Sequence, residues 1–164
     1  MPEVANYQFD HPMGTIYGWF SRNGLTQLRL PTPETRYERI PVLHSSMNDM
    51  RVWELHTLLT RYFEGVVQTF DTIPLDLSAG TMFQQAVWEA AQSVRWGETS
   101  TYGELARRID RPRAARAVGQ ALGANPVPII VPCHRFLAHS GGLGGFSAGL
   151  EWKRALLQTE GNNA

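Results

Sequence analysis

Thr81-Met-Phe-Gln84 and Thr101-Tyr-Gly-Glu104 share one form, and together they constrain the chain more than any other feature. In each, the threonine hydroxyl is placed to accept a free backbone amide three residues on. The Gln or Glu side chain reaches back to the threonine amide, so both segments are expected to open helices. After the first, Phe83, Ala86, Val87, Ala90 and Val94 recur as one apolar stripe. After the second, Leu105, Ala106 and Ile109 point inward, and Asp110-Arg-Pro112 is a turn whose proline suits a helix start. RAARAVGQALGAN then offers Ala114, Ala117, Val118, Ala121 and Leu122 as a buried face. Two short helices joined by a tight turn, the second rich in arginine, predict a helix-turn-helix.

The first half has a different period. GTIYGWFSRNGLTQLRL holds two β-prone runs around Asn23-Gly24, a pair suited to a type I′ hairpin turn with two positive φ angles. LPTPETRYERIP is a Pro-rich loop. NDMRVWELHTLLTRYFEG is expected to form a helix, with Val52, Leu55, Leu59 and Phe63 at helical spacing, Asn48 or Asp49 as cap and Gly65 as stop. FDTIPLDLSAG is a linker with one short extended piece. The expected architecture is therefore an α/β N-terminal scaffold over residues 1–79 and a mostly α half over 80–164.

Length and composition bound the class. At 164 residues, 43% apolar and 18% charged, the chain is that of one soluble domain or two small halves. No apolar run is long enough for a membrane span, and Met1 leads into polar residues without a basic or apolar leader, so a cytoplasmic or nuclear protein without a secretion signal is expected. The net charge of zero hides an asymmetry: residues 1–79 carry six arginines and nine acids, residues 80–164 eight arginines and Lys153 against six acids. Five arginines crowd ARRIDRPRAAR, and the planar guanidinium fork matches phosphate oxygens, so a polyanion is a candidate partner. A solvated helix face is the plainer reading. No metal is expected: Cys133 is the only cysteine, and His11, His44, His56, His134 and His139 lack ligand-like spacing.

On the second helix of the pair, Ala115, Gly119 and Gly123 fall at i, i+4 and i+8, beside Arg116. Glycine inside a helix costs about 1 kcal/mol relative to alanine, so something should compensate. Close packing on a neighbouring helix is one reading; a backbone laid against a narrow surface such as a DNA groove is the other. Downstream, IIVP reads as a buried strand closed by proline, and Cys133-His134-Arg135 starts a new element. A lone cysteine after an apolar run is most often inert. Three features argue otherwise here: His134 adjoins it, Asn125 is placed to pin the turn, and GGLGGFSAG lets a ligand approach the backbone closely. A free thiol is only a few per cent thiolate at neutral pH, and an imidazole relay or helix-start amides would raise that fraction. His134 needs an orienting group, and both Glu151 and Glu160 are available.

PCHR, preceded by AARAVGQALGANPVPIIV and followed by GGLGGFSAGLEWKRALLQTEG, resembles the O6-alkylguanine-DNA alkyltransferase family, the methylated-DNA–protein-cysteine methyltransferases. GTMFQQAVWEAAQSVRWGETSTYGELA matches the pattern ahead of the helix-turn-helix, so the resemblance is dense from Gly80 to Gly161 and loose before it. It implies a ribonuclease-H-like sheet in residues 1–79 and a winged-helix-like DNA-binding half in 80–164. It implies DNA repair without cofactor, in which a monomer flips a damaged guanine from double-stranded DNA and moves the O6-alkyl group, mainly methyl, irreversibly onto Cys133. Carried over residue by residue, His134 takes the thiol proton through a water, Glu160 orients His134, Tyr102 donates toward guanine N3, and Asn125 ties the second helix to the active-site loop. Ser147 offers its amide to O6, with Phe136, Phe146 and Ala148 as further substrate contacts. Arg116 fills the place of the extruded base, and Ala115, Gly119, Gly123 and Arg113 meet the DNA in the minor groove. Phe146 stands where the family usually has tyrosine, and Ala148 where glycine is common, so bulky adducts such as benzyl are expected to react slowly. An alkyltransferase-like protein that binds the lesion without transfer is the alternative; it lacks the nucleophilic cysteine. A Cys–His hydrolase lacks an oxyanion-hole motif here, and a transcription regulator leaves PCHR unexplained.

Overall fold

A computed structural model describes residues 3–43 and 48–162; His44 lies outside them. The fold is mixed α/β and divides into two compact units, Met1–Leu77 and Ser78–Ala164.

In the first unit, β1 (Tyr7–His11), β2 (Gly14–Phe20) and β3 (Leu25–Arg29) form an antiparallel sheet in the order β1-β2-β3. Helix α1 (Met50–Phe63) starts where the Asp49 carboxylate accepts the Arg51 amide and buries Leu55, Leu59 and Tyr62. Gly65, at φ 77°, follows its end. Tyr7, Ile16, Leu25, Leu28 and Ile73 complete this core. The hairpin around Asn23-Gly24 forms, but not through a type I′ turn. Asn23 keeps a negative φ, and the loop closes by the Ser21 amide donating to Gly24 O at 2.8 Å. Glycine is needed at 24 for space: a Cβ there would meet Pro74 O at 2.5 Å, where the extended piece of the linker pairs with Leu25. Strand β1 has no clear sequence signal, since only Tyr7 of its five residues is buried.

In the second unit, both capping boxes are present. Thr81 opens α2 (Met82–Ala91) and Thr101 opens α3 (Tyr102–Arg108). The buried face of α2 is Val87, Trp88 and Ala91, continued by Val94; Ala86 is exposed, so the stripe sits one residue round from the expected one. Trp88 explains the rotation, because its indole donates to Ala121 O on α4 (Ala115–Gly123) at 2.7 Å. Helix α4 begins at Ala115, three residues after Pro112, because Asp110 (φ 59°) turns the chain first. It buries Val118, Ala121 and Leu122, whereas Ala117 is exposed. Two residues of strand, β4 (Ser100–Thr101), pair in parallel with β5 (Phe136–Leu137), and α5 (Leu150–Thr159) closes the unit. Among the described residues, no helix is long and apolar enough to cross a membrane.

Candidate active site

The expected IIVP strand is instead a tight turn. Val131 N donates to Val127 O at 3.0 Å, and Ile129 takes φ 76°, a conformation rare for a β-branched residue. Asn125, just beyond α4, holds that turn. Its Oδ1 accepts from Val127 N at 3.0 Å, and its Nδ2 donates to Val131 O at 2.9 Å and to Cys133 Sγ at 3.2 Å. Pro132 (φ −81°, ψ 61°) bends the chain once more, with Cys133 N donating to Val131 O at 2.8 Å in an inverse γ-turn. The sulfur is thus delivered at the head of the short 3-10 turn Cys133–Arg135 by a segment that is buried throughout.

Behind the sulfur lies a buried charge network. Glu160, the C-cap of α5, takes Nε2 of His134 at 2.7 Å on Oε1. The same oxygen accepts Arg135 Nη2 at 2.8 Å, while Arg135 Nε reaches Oε2 at 3.0 Å. Arg135 Nη1 also donates to Val94 O at 2.6 Å. Burial would raise the Glu160 carboxyl, but the hydrogen bonds from His134 and Arg135 outweigh it and hold the group at about 2. Burial lowers His134, so its imidazole is neutral at neutral pH and Glu160 holds the proton on Nε2. Of the two carboxylates open on sequence, the geometry selects Glu160; Glu151 is exposed in the first turn of α5.

In front of the sulfur is a cavity of about 510 Å³, lined by Tyr102, Arg116, Gly119, Gln120, Leu122, Gly123, Cys133, Gly145, Phe146 and Ser147. Cys133 and half-buried Tyr102 share this wall, although 31 residues separate them in sequence. Gly144, at φ 70°, lets the loop pass Tyr102: a Cβ there would stand 2.5 Å from the phenol oxygen. Four expected contacts lie outside the lining. Phe136 is fully buried in β5, paired with Ser100. Ala148 and Ala115 are half-buried. Arg113 is exposed ahead of α4. Lys153 and Arg135 carry polar contacts that the motif reading did not assign. The signal for the first was visible, since Lys153 is the one lysine beside fourteen arginines.

The thiol is not pre-ionised. Burial pushes Cys133 up to about 11, against the Asn125 hydrogen bond, the Lys153 charge and the amides of Cys133 and His134. The neighbours expected to raise the thiolate fraction are present, but burial outweighs them in the free protein. Tyr102 is raised as well, chiefly by burial, so its phenol is protonated and able to donate. The site therefore holds a sulfur nucleophile, a neutral imidazole fixed by a carboxylate and a neutral phenol around one opening.

Comparison with known proteins places the chain in a family. A family model described as the 6-O-methylguanine DNA methyltransferase DNA-binding domain matches residues 82–162. A methylated-DNA–protein-cysteine methyltransferase of Haemophilus influenzae is 57% identical over 100 residues, 61% of this chain and 55% of that protein. One from Methanosarcina mazei is 48% identical over 110 residues, covering 67% of this chain and 68% of that protein. The match thus spans little more than half the length of the Haemophilus protein. Among solved structures, Mycobacterium tuberculosis OGT in complex with DNA superposes with a TM-score of 0.80 at 40% identity, over 96% of this chain and 92% of the other. With a relative 48% identical over 68% of its own length and a fold shared over 96% of this chain, the chain belongs to the methylated-DNA–protein-cysteine methyltransferase family.

Proposed function

We propose that this protein repairs DNA by a single, irreversible transfer of an O6-alkyl group, mainly methyl, from guanine to Cys133. The observation that carries the reading is the position of Sγ, in the wall of a cavity it shares with Tyr102 and backed by the His134–Glu160 pair. The target atom is inaccessible in a stacked duplex, so the guanine is flipped into the cavity from the minor groove, with Arg116 in its place. The thiol proton passes to His134 through a water. Sulfur attacks the alkyl carbon in line, and the bond from that carbon to O6 breaks. The electron pair moves into the purine, where Tyr102 donates a proton toward N3. Ser147 N–H meets O6, and Phe146 packs beside it. The thioether is not reversed by simple thiol chemistry, so each molecule acts once.

Residues 80–164 bind DNA, and residues 1–79 are a scaffold; the ribonuclease-H-like and winged-helix-like descriptions of the two halves rest on the family resemblance. We read the protein as a monomer of the cytoplasm or nucleus, working on double-stranded DNA without metal or organic cofactor. A binding-only role is disfavoured because the sulfur is present and opens on the cavity. The test is intact-protein mass after incubation with a duplex carrying O6-methylguanine. One added methylene mass at one equivalent, absent in Cys133→Ala, is expected; tight binding with unchanged mass would replace transfer by lesion recognition.

A further inference from the structure

Neither the packing of the fold nor the transfer chemistry accounts for Lys153. It lies near the start of α5 and is fully buried. A buried ammonium needs partners that replace water, and an opposite charge is the usual one. The ion pairs among the described residues do not include it. Its Nζ donates instead to Phe136 O at 2.6 Å and Gly145 O at 3.2 Å, and lies 5.9 Å from the centroid of the Tyr102 ring. Carbonyls and a ring face solvate a cation without neutralising it. Positive charge is therefore left over beside the cavity, where the Cys133 thiol becomes an anion during transfer.

We propose that Lys153 is a positioning residue, whose ammonium fixes the cavity wall to the cysteine turn and supplies the counter-charge for the Cys133 thiolate. Two contacts carry the first part. Phe136 follows the turn that holds Cys133, and Gly145 belongs to the loop that carries Phe146 and Ser147. One nitrogen bridges the two segments, so the distance from sulfur to the opposite wall depends on it. The second part follows from the missing carboxylate, since among the described residues no ion pair competes for the charge. This inference rests on the transfer reading for its purpose, but both parts concern the unreacted protein.

The charged or titratable groups around the sulfur are Lys153 from α5, Tyr102 from α3, Arg116 across the cavity, and His134 with Arg135 and Glu160 behind it. Burial lowers Lys153 to about 8 and raises Cys133 to about 11, and each charge partly offsets the other's shift. Glu160 and His134 are held below their ordinary values and Tyr102 above its own, so none of the three accounts for a bend near pH 8. Such coupling leaves a signature. Below the lysine's titration, raising the pH forms thiolate beside a charged ammonium, and the logarithm of the alkylation rate rises with unit slope. Above it, the proton lost from sulfur competes with one lost from Lys153, the ion-paired form stops increasing, and the profile bends toward a plateau.

The experiment is the rate of iodoacetamide alkylation of the full chain against pH, read by intact mass; Cys133 is the only thiol, so the adduct absent from a Cys133→Ala sample is assigned to it. The parent profile is expected to bend near pH 8. Lys153→Met should lose the bend and react about tenfold more slowly near neutral pH, the effect of about one unit in thiol pKa. Lys153→Arg keeps the charge at every pH, so it should stay within about threefold of the parent near neutrality and show no bend. A parent profile that runs straight through pH 8, or a bend that persists in Lys153→Met, overturns the proposal. The parent alone decides it should either variant fail to fold. Methyl transfer from DNA by the same sample is scored separately, so failure of the repair reading is distinguishable from failure of this one.

Discussion

One oxygen, Glu160 Oε1, accepts both His134 and Arg135, and that sharing ties catalysis to acid stability. The carboxyl is held at about 2, below its ordinary 4.5, despite burial. Its contribution is fully present above about pH 4.5 and is lost as pH falls toward about 2. It amounts to stabilisation on the order of 3 kcal/mol at neutral pH. His134 is also lowered, by burial, so its contribution is present above its ordinary 6.5 and is lost as acid protonates the buried ring. Both run the same way. Urea unfolding of the parent should show stability declining below about pH 6.5 and more steeply below about 4.5. Glu160→Gln should be a few kcal/mol less stable at neutral pH, since it leaves Arg135 buried without its anion, and should lack the steep limb. Stability of the parent that stays level from neutral pH to about pH 3 would contradict the assignment. Residue chemistry alone could not choose between Glu151 and Glu160, although the family resemblance implied Glu160, because the choice depends on where α5 ends. Only the fold brings its C-cap beside Arg135.

At the scale of elements, local chemistry was legible and deferred contacts were not. The two capping boxes mark α2 and α3 because their hydrogen bonds close within four residues. The IIVP segment misleads because β-branched residues favour strands, whereas Asn125 and the burial around it hold Ile129 at positive φ. The small face of α4 was visible, and its reason is now narrower. A Cβ at Gly123 would meet nothing within 4 Å, and one at Gly119 would touch Tyr102 only at an ordinary 3.8 Å. Packing within the unit therefore does not demand glycine at either position, and the space in front of the helix is open. Gly119→Ala should stabilise the free protein by about 1 kcal/mol in urea or thermal unfolding, because the helix gains propensity without a clash. The same methyl stands on the surface offered to a groove, so DNA binding should weaken at least about tenfold, the effect of about 1.4 kcal/mol at the interface. Unchanged affinity in a stabilised variant would remove the groove-facing role of this helix.

At the scale of the molecule, zero net charge conceals a basic unit and an acidic one, and the basic unit does not expose all its cations. Lys153 and Arg135 are buried in the site, whereas Arg107, Arg108, Arg111, Arg113 and Arg116 are exposed along α3, the turn and α4. Each phosphate neutralised contributes about −0.9 to the slope of log affinity against log salt, so these five arginines bound the slope at roughly −4.5. Arg113 and Arg116 lie three residues apart but differ in place, since only Arg116 lines the cavity. Arg113→Ala should therefore weaken damaged and undamaged duplex alike and reduce the slope by about one, as loss of a phosphate contact does. Arg116→Ala should chiefly lower the preference for the damaged duplex and the rate of methyl transfer, because in the proposed mechanism the guanidinium fills the gap that an extruded base leaves. Binding titrations across a salt series, with matched duplexes differing only in O6-methylation, separate the two. Identical losses of slope and of discrimination in both variants would mean that α4 binds as a uniform basic surface, with no arginine dedicated to holding the stack open.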